Sequence, residues 1–288
     1  MEESPALAAA NNEYTFGDNS RASARLRRLA EMYEPESRAL LQRSGMSAPR
    51  LAVDLGCGPG WSTRLLQNVL KPGRTVGLDA SAAYIEEAKA RHGASLEFEV
   101  HDIAHAPFPV HAPDFLFSLP FEDASFDDVF VCFVLEHLAD PGQALAAVRR
   151  MLKPGGTITV IEGDHGSWYC HPQTAEATRT VQCLIEIQAR LGGDSLIGRR
   201  LYPLLAEAGF RHVRVDPRMV YVDDSLPHLV EGFSRNTFIA MVEGVREEAL
   251  SLGLMDTATW DKGIANMYRA AEPGGTFCYT FFRGCAVR

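Results

Sequence analysis

A strand that runs without a break into three glycines constrains this chain more than any other feature. Val53-Asp54-Leu55 is apolar apart from one acid, Gly56-Cys57-Gly58-Pro59-Gly60 follows at once, and Trp61 opens a helical pattern. Glycine takes left-handed backbone conformations without a steric penalty and lets the main chain approach a ligand closely. The first turn of the helix behind it presents unpaired N–H groups. Such a turn is also compatible with a bare tight turn. A dinucleotide fingerprint requires Gly-x-Gly-x-x-Gly/Ala, its last small residue lying against the sheet. Counted from Gly56 that position is Trp61, and from Gly58 it is Thr63, so the pattern of a nicotinamide or flavin enzyme is not met.

Two acids follow at informative places. Val76-Gly77-Leu78-Asp79, with Ala80 next, is a strand ending in a carboxylate about 20 residues beyond the turn, the distance expected of an acceptor for two ribose hydroxyls. After the next strand, His101-Asp102-Ile103 offers a carboxylate for an exocyclic adenine amine and a neighbouring N–H for the ring. Either acid is also compatible with an ordinary surface turn.

The turn sits in a repeating context. Leu51 to Leu55, Thr75 to Leu78, Leu96 to Val100, Asp128 to Phe133 and Thr157 to Ile161 are short apolar or β-branched runs, with helical patterns between most of them. Strands alternating with helices predict an α/β fold, a doubly wound parallel sheet covered on both faces. Residues 1–48 form an N-terminal helical cap in which Pro35 is expected to separate two helices. Residues 49–288 form the main domain, with strands at Arg211 to Val215, Met219 to Val222 and Thr276 to Phe282. Helical insertions at about 165–197 and 225–271 are long enough to cover a substrate.

Composition narrows the partners. The formal charge of −9 argues against a broad grip on nucleic acid or on an anionic membrane. Six cysteines without a Cys-x-x-Cys pair read as reduced thiols, and no metal is expected. No basic leader or long apolar run is present, so a cytoplasmic protein is expected. The helical additions offer surfaces for a homodimer.

Four segments in order resemble the class I S-adenosylmethionine-dependent methyltransferases, in their ubiquinone/menaquinone-biosynthesis-like branch. They are Val53 to Gly60; Gly77-Leu78-Asp79; Phe121 to Val129 followed by Leu135-Glu136-His137-Leu138; and Leu152-Lys153-Pro154-Gly155-Gly156. The resemblance covers about residues 50 to 162. It implies a Rossmann-like seven-stranded sheet with an antiparallel last strand. It also implies S-adenosyl-L-methionine as cofactor, held by Asp54, Gly56, Cys57, Gly58, Gly60, Asp79, Ala80, Asp102, Ile103, Phe133 and His137, and a Tyr14 that folds over the methionine end.

The methyl acceptor is expected outside the carboxyl ends of the strands. The run from Ile161 to His171 leaves the fifth strand with two acids, two histidines and two aromatics. His165 is the candidate base or acceptor orienter, Glu162, Trp168 and Tyr169 are candidate pocket residues, and Phe233 and Phe238 come from the late helical block. The expected function is methyl transfer to a hydrophobic or aromatic small molecule at a C, O, N or S centre, in the manner of specialised-metabolite biosynthesis. The alternatives are a nucleic-acid or protein methyltransferase, which wants a basic stripe, and a non-catalytic cofactor-binding module.

Overall fold

Apolar runs bounded by glycine, proline and acidic turns become strands. The computed structural model describes residues 20–44, 48–102 and 122–288. Tyr14 and Ile103 lie outside the described residues. β1 (Leu51–Leu55), β2 (Arg74–Asp79), β3 (Glu97–Val100), β4 (Phe126–Cys132) and β5 (Leu152–His171) pair in parallel in the spatial order β3-β2-β1-β4-β5. β7 (Thr276–Val287) lies antiparallel between β5 and β6 (Arg211–Val222), completing a seven-stranded sheet.

Helices cover both faces. α1 (Ser20–Arg43) precedes the sheet, and α2 (Trp61–Leu70), α3 (Ala82–His92) and α4 (Pro141–Met151) connect its strands. α4 begins where its chemistry dictates: Asp140 accepts from the Gln143 N–H at 2.9 Å, and Pro141 occupies the first turn, where no N–H is needed. α5 (Ala175–Arg190) and α6 (Leu201–Glu207) follow β5. Between β6 and β7 run α7 (Pro227–Leu229), a π-helical segment (Val230–Ile239), α8 (Ala240–Glu243), α9 (Arg246–Ser251) and α10 (Thr257–Arg269). One core joins α4 and α6 to Val129, Ile158 and Val160. The opposite core joins α1, α2, α5 and the late helices to Phe130, Ile161 and a row of aromatics from β7.

Three expectations are corrected. α1 is a single helix with Pro35 inside it, not two helices. Tyr33 on one side of the proline, and Leu40 and Leu41 on the other, are buried in the same core, and that packing carries the helix across the break. β5 continues through His171, so residues 165–171 begin the first insertion as strand. β6 is one strand that runs through Pro217; this is tolerated because β6 pairs only with β7 and forms the sheet edge.

α1 is fastened at both ends. Near its start the Ser23 hydroxyl donates to Glu87 of α3 at 2.7 Å. Farther along, Glu36 accepts from Arg218 of β6 at 3.1 Å and from Arg283 of β7, and Asp216 accepts from Arg283 at 2.8 Å. Arg283 is 3% exposed, so its charge depends on these two carboxylates. Arg283→Met keeps the side-chain bulk but leaves both acids without this donor. It is expected to cost about 1–3 kcal/mol in urea unfolding and to speed amide exchange in α1 ahead of β1 and β4.

A second buried acid sets a pH dependence. Asp128 of β4 is fully buried, accepts from the Thr157 hydroxyl, and is pushed up to about 7 by that burial. A carboxyl raised on folding stabilises the native state fully below its unfolded value, near 4, and loses that contribution as pH rises through about 7. Asp128→Asn therefore flattens the fall in unfolding midpoint between pH 5 and pH 8; an unchanged slope would assign the fall to other groups.

Candidate active site

The glycine turn is built from below. Gly56, Gly58 and Gly60 have φ of 74°, 50° and 85°, all left-handed. The Leu78 carbonyl of β2 accepts from both Gly56 and Cys57 N–H groups, at 2.8 and 2.9 Å. Asp54 is fully buried and accepts from Ser62 at 2.7 Å and Thr63 at 2.6 Å, tying the end of β1 to the first turn of α2. Burial pushes its carboxyl up to about 6, against those two hydrogen bonds. The Cys57 side chain packs away from the turn, among Ile85, Ala88, Leu96 and Phe98. A Cβ at Gly56 would overlap the Val134 side chain, whereas one at Gly58 would meet only Leu26 of α1, at 3.5 Å. The Gly58 face therefore has room for a ligand beneath α1.

The strand ends carry the acids that a nucleoside needs. Asp79 accepts from the Gly58 N–H and the Ser81 N–H, each at 2.8 Å, and is part-exposed beside the exposed Ala80. Asp102, part-exposed, stands just past β3, where the His101 N–H bonds the Asp79 carbonyl at 2.8 Å. Past β4, Phe133 has φ of 57°, a left-handed conformation uncommon outside glycine, and its ring lies 5.7 Å from that of Tyr33. The following 3-10 turn, Leu135–His137, is held by Glu162: its Oε1 accepts from Val134 and Leu135 N–H groups at 3.0 and 2.8 Å. Burial, then the nearby Glu136, drives the Glu162 carboxyl well above the usual carboxylate range. His137 is mostly buried and lies 3.6 Å from Glu136.

β5 and β7 extend this edge into an aromatic wall. Phe277, Tyr279 and Phe281 alternate on one face of β7 and pack against Phe233 and Phe238 of the π-helical segment. Trp168 stacks on Phe238 with ring centroids 5.9 Å apart. His165 is 5% exposed, its Nδ1 lies 2.7 Å from the Tyr279 hydroxyl, and burial lowers its pKa. Asp164 is paired in a fork with Arg199, at 2.6 and 2.7 Å. Buried polar atoms without a partner among the described residues include His165 Nε2, Trp168 Nε1, Glu162 Oε2 and Tyr33 Oη.

Several site expectations meet in this edge: Asp79, Asp102, Phe133, His137, Glu162, His165, Trp168, Phe233 and Phe238. Tyr169 does not join them. It alternates outward from Trp168, is 44% exposed, and donates to the Met219 sulfur at 3.4 Å, so it lines no pocket. Asp54 and the Cys57 side chain lie under the turn rather than on its open face. Sequence reasoning passed over Tyr33, Tyr279 and Phe281. The period-two run Phe277-x-Tyr279-x-Phe281 carried the signal for the last two; Tyr33, on a helix distant in sequence, carried none. No group of three or more His, Cys, Asp or Glu side chains among the described residues is arranged to hold a metal.

A family model described as a methyltransferase domain matches residues 53–160. Over those residues the chain is similar to a methyltransferase domain. Among curated relatives, a trans-aconitate 2-methyltransferase from Methylobacterium radiotolerans is 37% identical over 174 residues, covering 59% of this chain and 58% of that protein. An uncharacterized 37.1 kDa protein of transposon TN4556 from Streptomyces fradiae is 35% identical over 210 residues, 72% of this chain and 55% of that protein. The chain thus spans little more than half the length of these relatives. Among solved structures, the YcgJ protein of Bacillus subtilis aligns with a TM-score of 0.54 at 15% identity, over 88% of this chain and 98% of its own. The [4+2]-cyclase SpnF aligns at 0.51 and 16%, over 90% and 81%. These two likenesses concern the methyltransferase fold alone.

Within this domain Gly56 is the least replaceable turn residue. Gly56→Ala combines a left-handed backbone with overlap on Val134, and is expected to destabilise by about 2–4 kcal/mol. Gly58→Ala, strained but with open space, is expected to leave a folded protein. Chemical denaturation of the two variants side by side checks the contrast.

Proposed function

We propose that this chain transfers a methyl group from S-adenosylmethionine to a small apolar or aromatic acceptor. The observation that carries the reading is the open Gly58 face bordered by Asp79: a close-approach backbone next to a part-exposed carboxylate, with Asp102 at the neighbouring strand end. These residues fit the cofactor, Asp79 toward the ribose hydroxyls and Asp102 toward the adenine amine. When bound, the cofactor supplies a methyl group on a positively charged sulfur that departs as a neutral thioether. The chain's own task is then to orient the nucleophile in line and to keep water out. Phe133, Tyr33, Phe281, Phe233 and Phe238 form the apolar wall for that, and His165 faces the acceptor from it. The curated relative named for trans-aconitate supports a small-molecule acceptor over nucleic acid or protein. The net charge of −9 points the same way. The acceptor fits a specialised-metabolite pathway. No helix among the described residues is long and apolar enough to cross a membrane.

A second reading rests on the likeness to a [4+2]-cyclase: the fold can accommodate chemistry other than methyl transfer. Titration with S-adenosylmethionine by calorimetry, followed by an assay for S-adenosylhomocysteine release with aromatic, indole and carboxylate acceptors, separates the two. Asp79→Ala is expected to weaken cofactor binding by at least about tenfold, the loss of hydrogen bonds to a charged group. Binding without product from any acceptor would favour the second reading, and no binding would overturn the first.

A further inference from the structure

The hydrogen bond between His165 and Tyr279 fixes more than a contact. A phenol has one proton to give and two lone pairs to receive. The Tyr279 oxygen is packed over Gly163. Its own proton needs an acceptor, and the one that the geometry provides is His165 Nδ1, 2.7 Å away. The phenol is much the stronger acid of the two, so the bond runs O–H to N. A neutral imidazole that accepts at Nδ1 carries its hydrogen on Nε2.

Among the described residues that Nε2–H is left without a partner, on a side chain 5% exposed. It has company. Trp168, 8% exposed, has its indole N–H unpartnered as well, and both rings pack on Phe238 with centroids 5.9 Å away. An indole N–H can only donate. Two buried donors beside one aromatic wall leave the acceptor to supply the lone pairs, because unpaired buried donors are costly.

We propose that Tyr279 locks His165 as its Nε2–H tautomer, and that His165 binds an oxygen of the methyl acceptor as a hydrogen-bond donor instead of removing a proton from it. The inference deepens the methyltransferase reading and rests on it for the word acceptor. It names the substrate class: an apolar or aromatic body carrying a carboxylate, phenolate or carbonyl oxygen, and not an amine offered to a histidine base. In the transfer, the nucleophile of the acceptor forms its bond to the methyl carbon as the sulfur–carbon bond breaks. Both electrons of that broken bond stay on sulfur, and His165 keeps its proton throughout. Glu136 and Asp164 are the acids whose charge reaches His165; Asp164 is neutralised by Arg199. His137 is the nearby base.

The test uses full-length protein labelled with nitrogen-15 in its histidines and saturated with S-adenosylhomocysteine. Nitrogen NMR distinguishes the two neutral tautomers, and His165→Gln identifies the signal. The expected result is an Nε2–H imidazole at pH 7 whose Nδ1 signal moves in Tyr279→Phe. Millimolar benzoate should shift the Nε2–H signal, and benzylamine should not. His165→Gln, which keeps an N–H at that place, should retain benzoate binding that His165→Ala loses at least tenfold. An Nδ1–H tautomer overturns the proposal, and so does a response to benzylamine alone or to neither probe. If the tautomer and the benzoate response appear in a protein that calorimetry shows not to bind S-adenosylmethionine, the donor stands and only the methyl-transfer reading falls.

Discussion

One carbonyl oxygen organises the cofactor side of this molecule. The Leu78 carbonyl takes two N–H groups from the glycine turn and thereby fixes the height at which the chain leaves β1. Everything on that side is set from there. α2 starts where Asp54 can catch Ser62 and Thr63, Asp79 is one residue beyond Leu78 and so meets the Gly58 N–H, and the open face of Gly58 turns toward α1. Three alternate residues with positive φ are held this way without backbone strain only when all are glycine, which is why the glycines, rather than the acids, are the feature a reader meets first.

The aromatic wall follows a different logic. Strands β5, β6 and β7 are much longer than β1 to β4, so part of the sheet projects past the nucleotide edge and serves as a wall. Its chemistry is aromatic with a few buried polar atoms. One oxygen of Glu162 is taken up in holding the turn after β4, and both oxygens of Asp164 in holding Arg199. Among the described residues, the buried atoms left without a partner include ring nitrogens of His165 and Trp168.

How much of this could be read in advance depends on range. The glycine turn, Asp79 and the first four parallel strands are local patterns, and the structure has them within a residue or two of where the sequence puts them. The antiparallel last strand came through resemblance. The length of β5 was hidden because Glu162, Asp164 and His165 look like a polar loop; they are tolerated in a strand since each finds a partner from another element. The continuity of α1 through Pro35 was hidden for a related reason, because the side chains that carry it across, Tyr33, Leu40 and Leu41, pack against residues far along the chain. The outward turn of Tyr169 was available from alternation alone once Trp168 was taken as inward.

The place of β7 between β5 and β6 has a consequence for how the molecule is made. β5 and β6 never touch each other in the sheet order, and β6 can join only through a strand that leaves the ribosome after both of them. The nucleotide half can assemble from neighbouring segments as they emerge, but the wall bearing Tyr279 and Phe281 cannot close until those two residues are out. Until then Trp168, Phe233 and Phe238 lack the strand they pack on, and a late, long-range pairing of this kind is slow. The aromatic wall is thus the last part of the protein to exist.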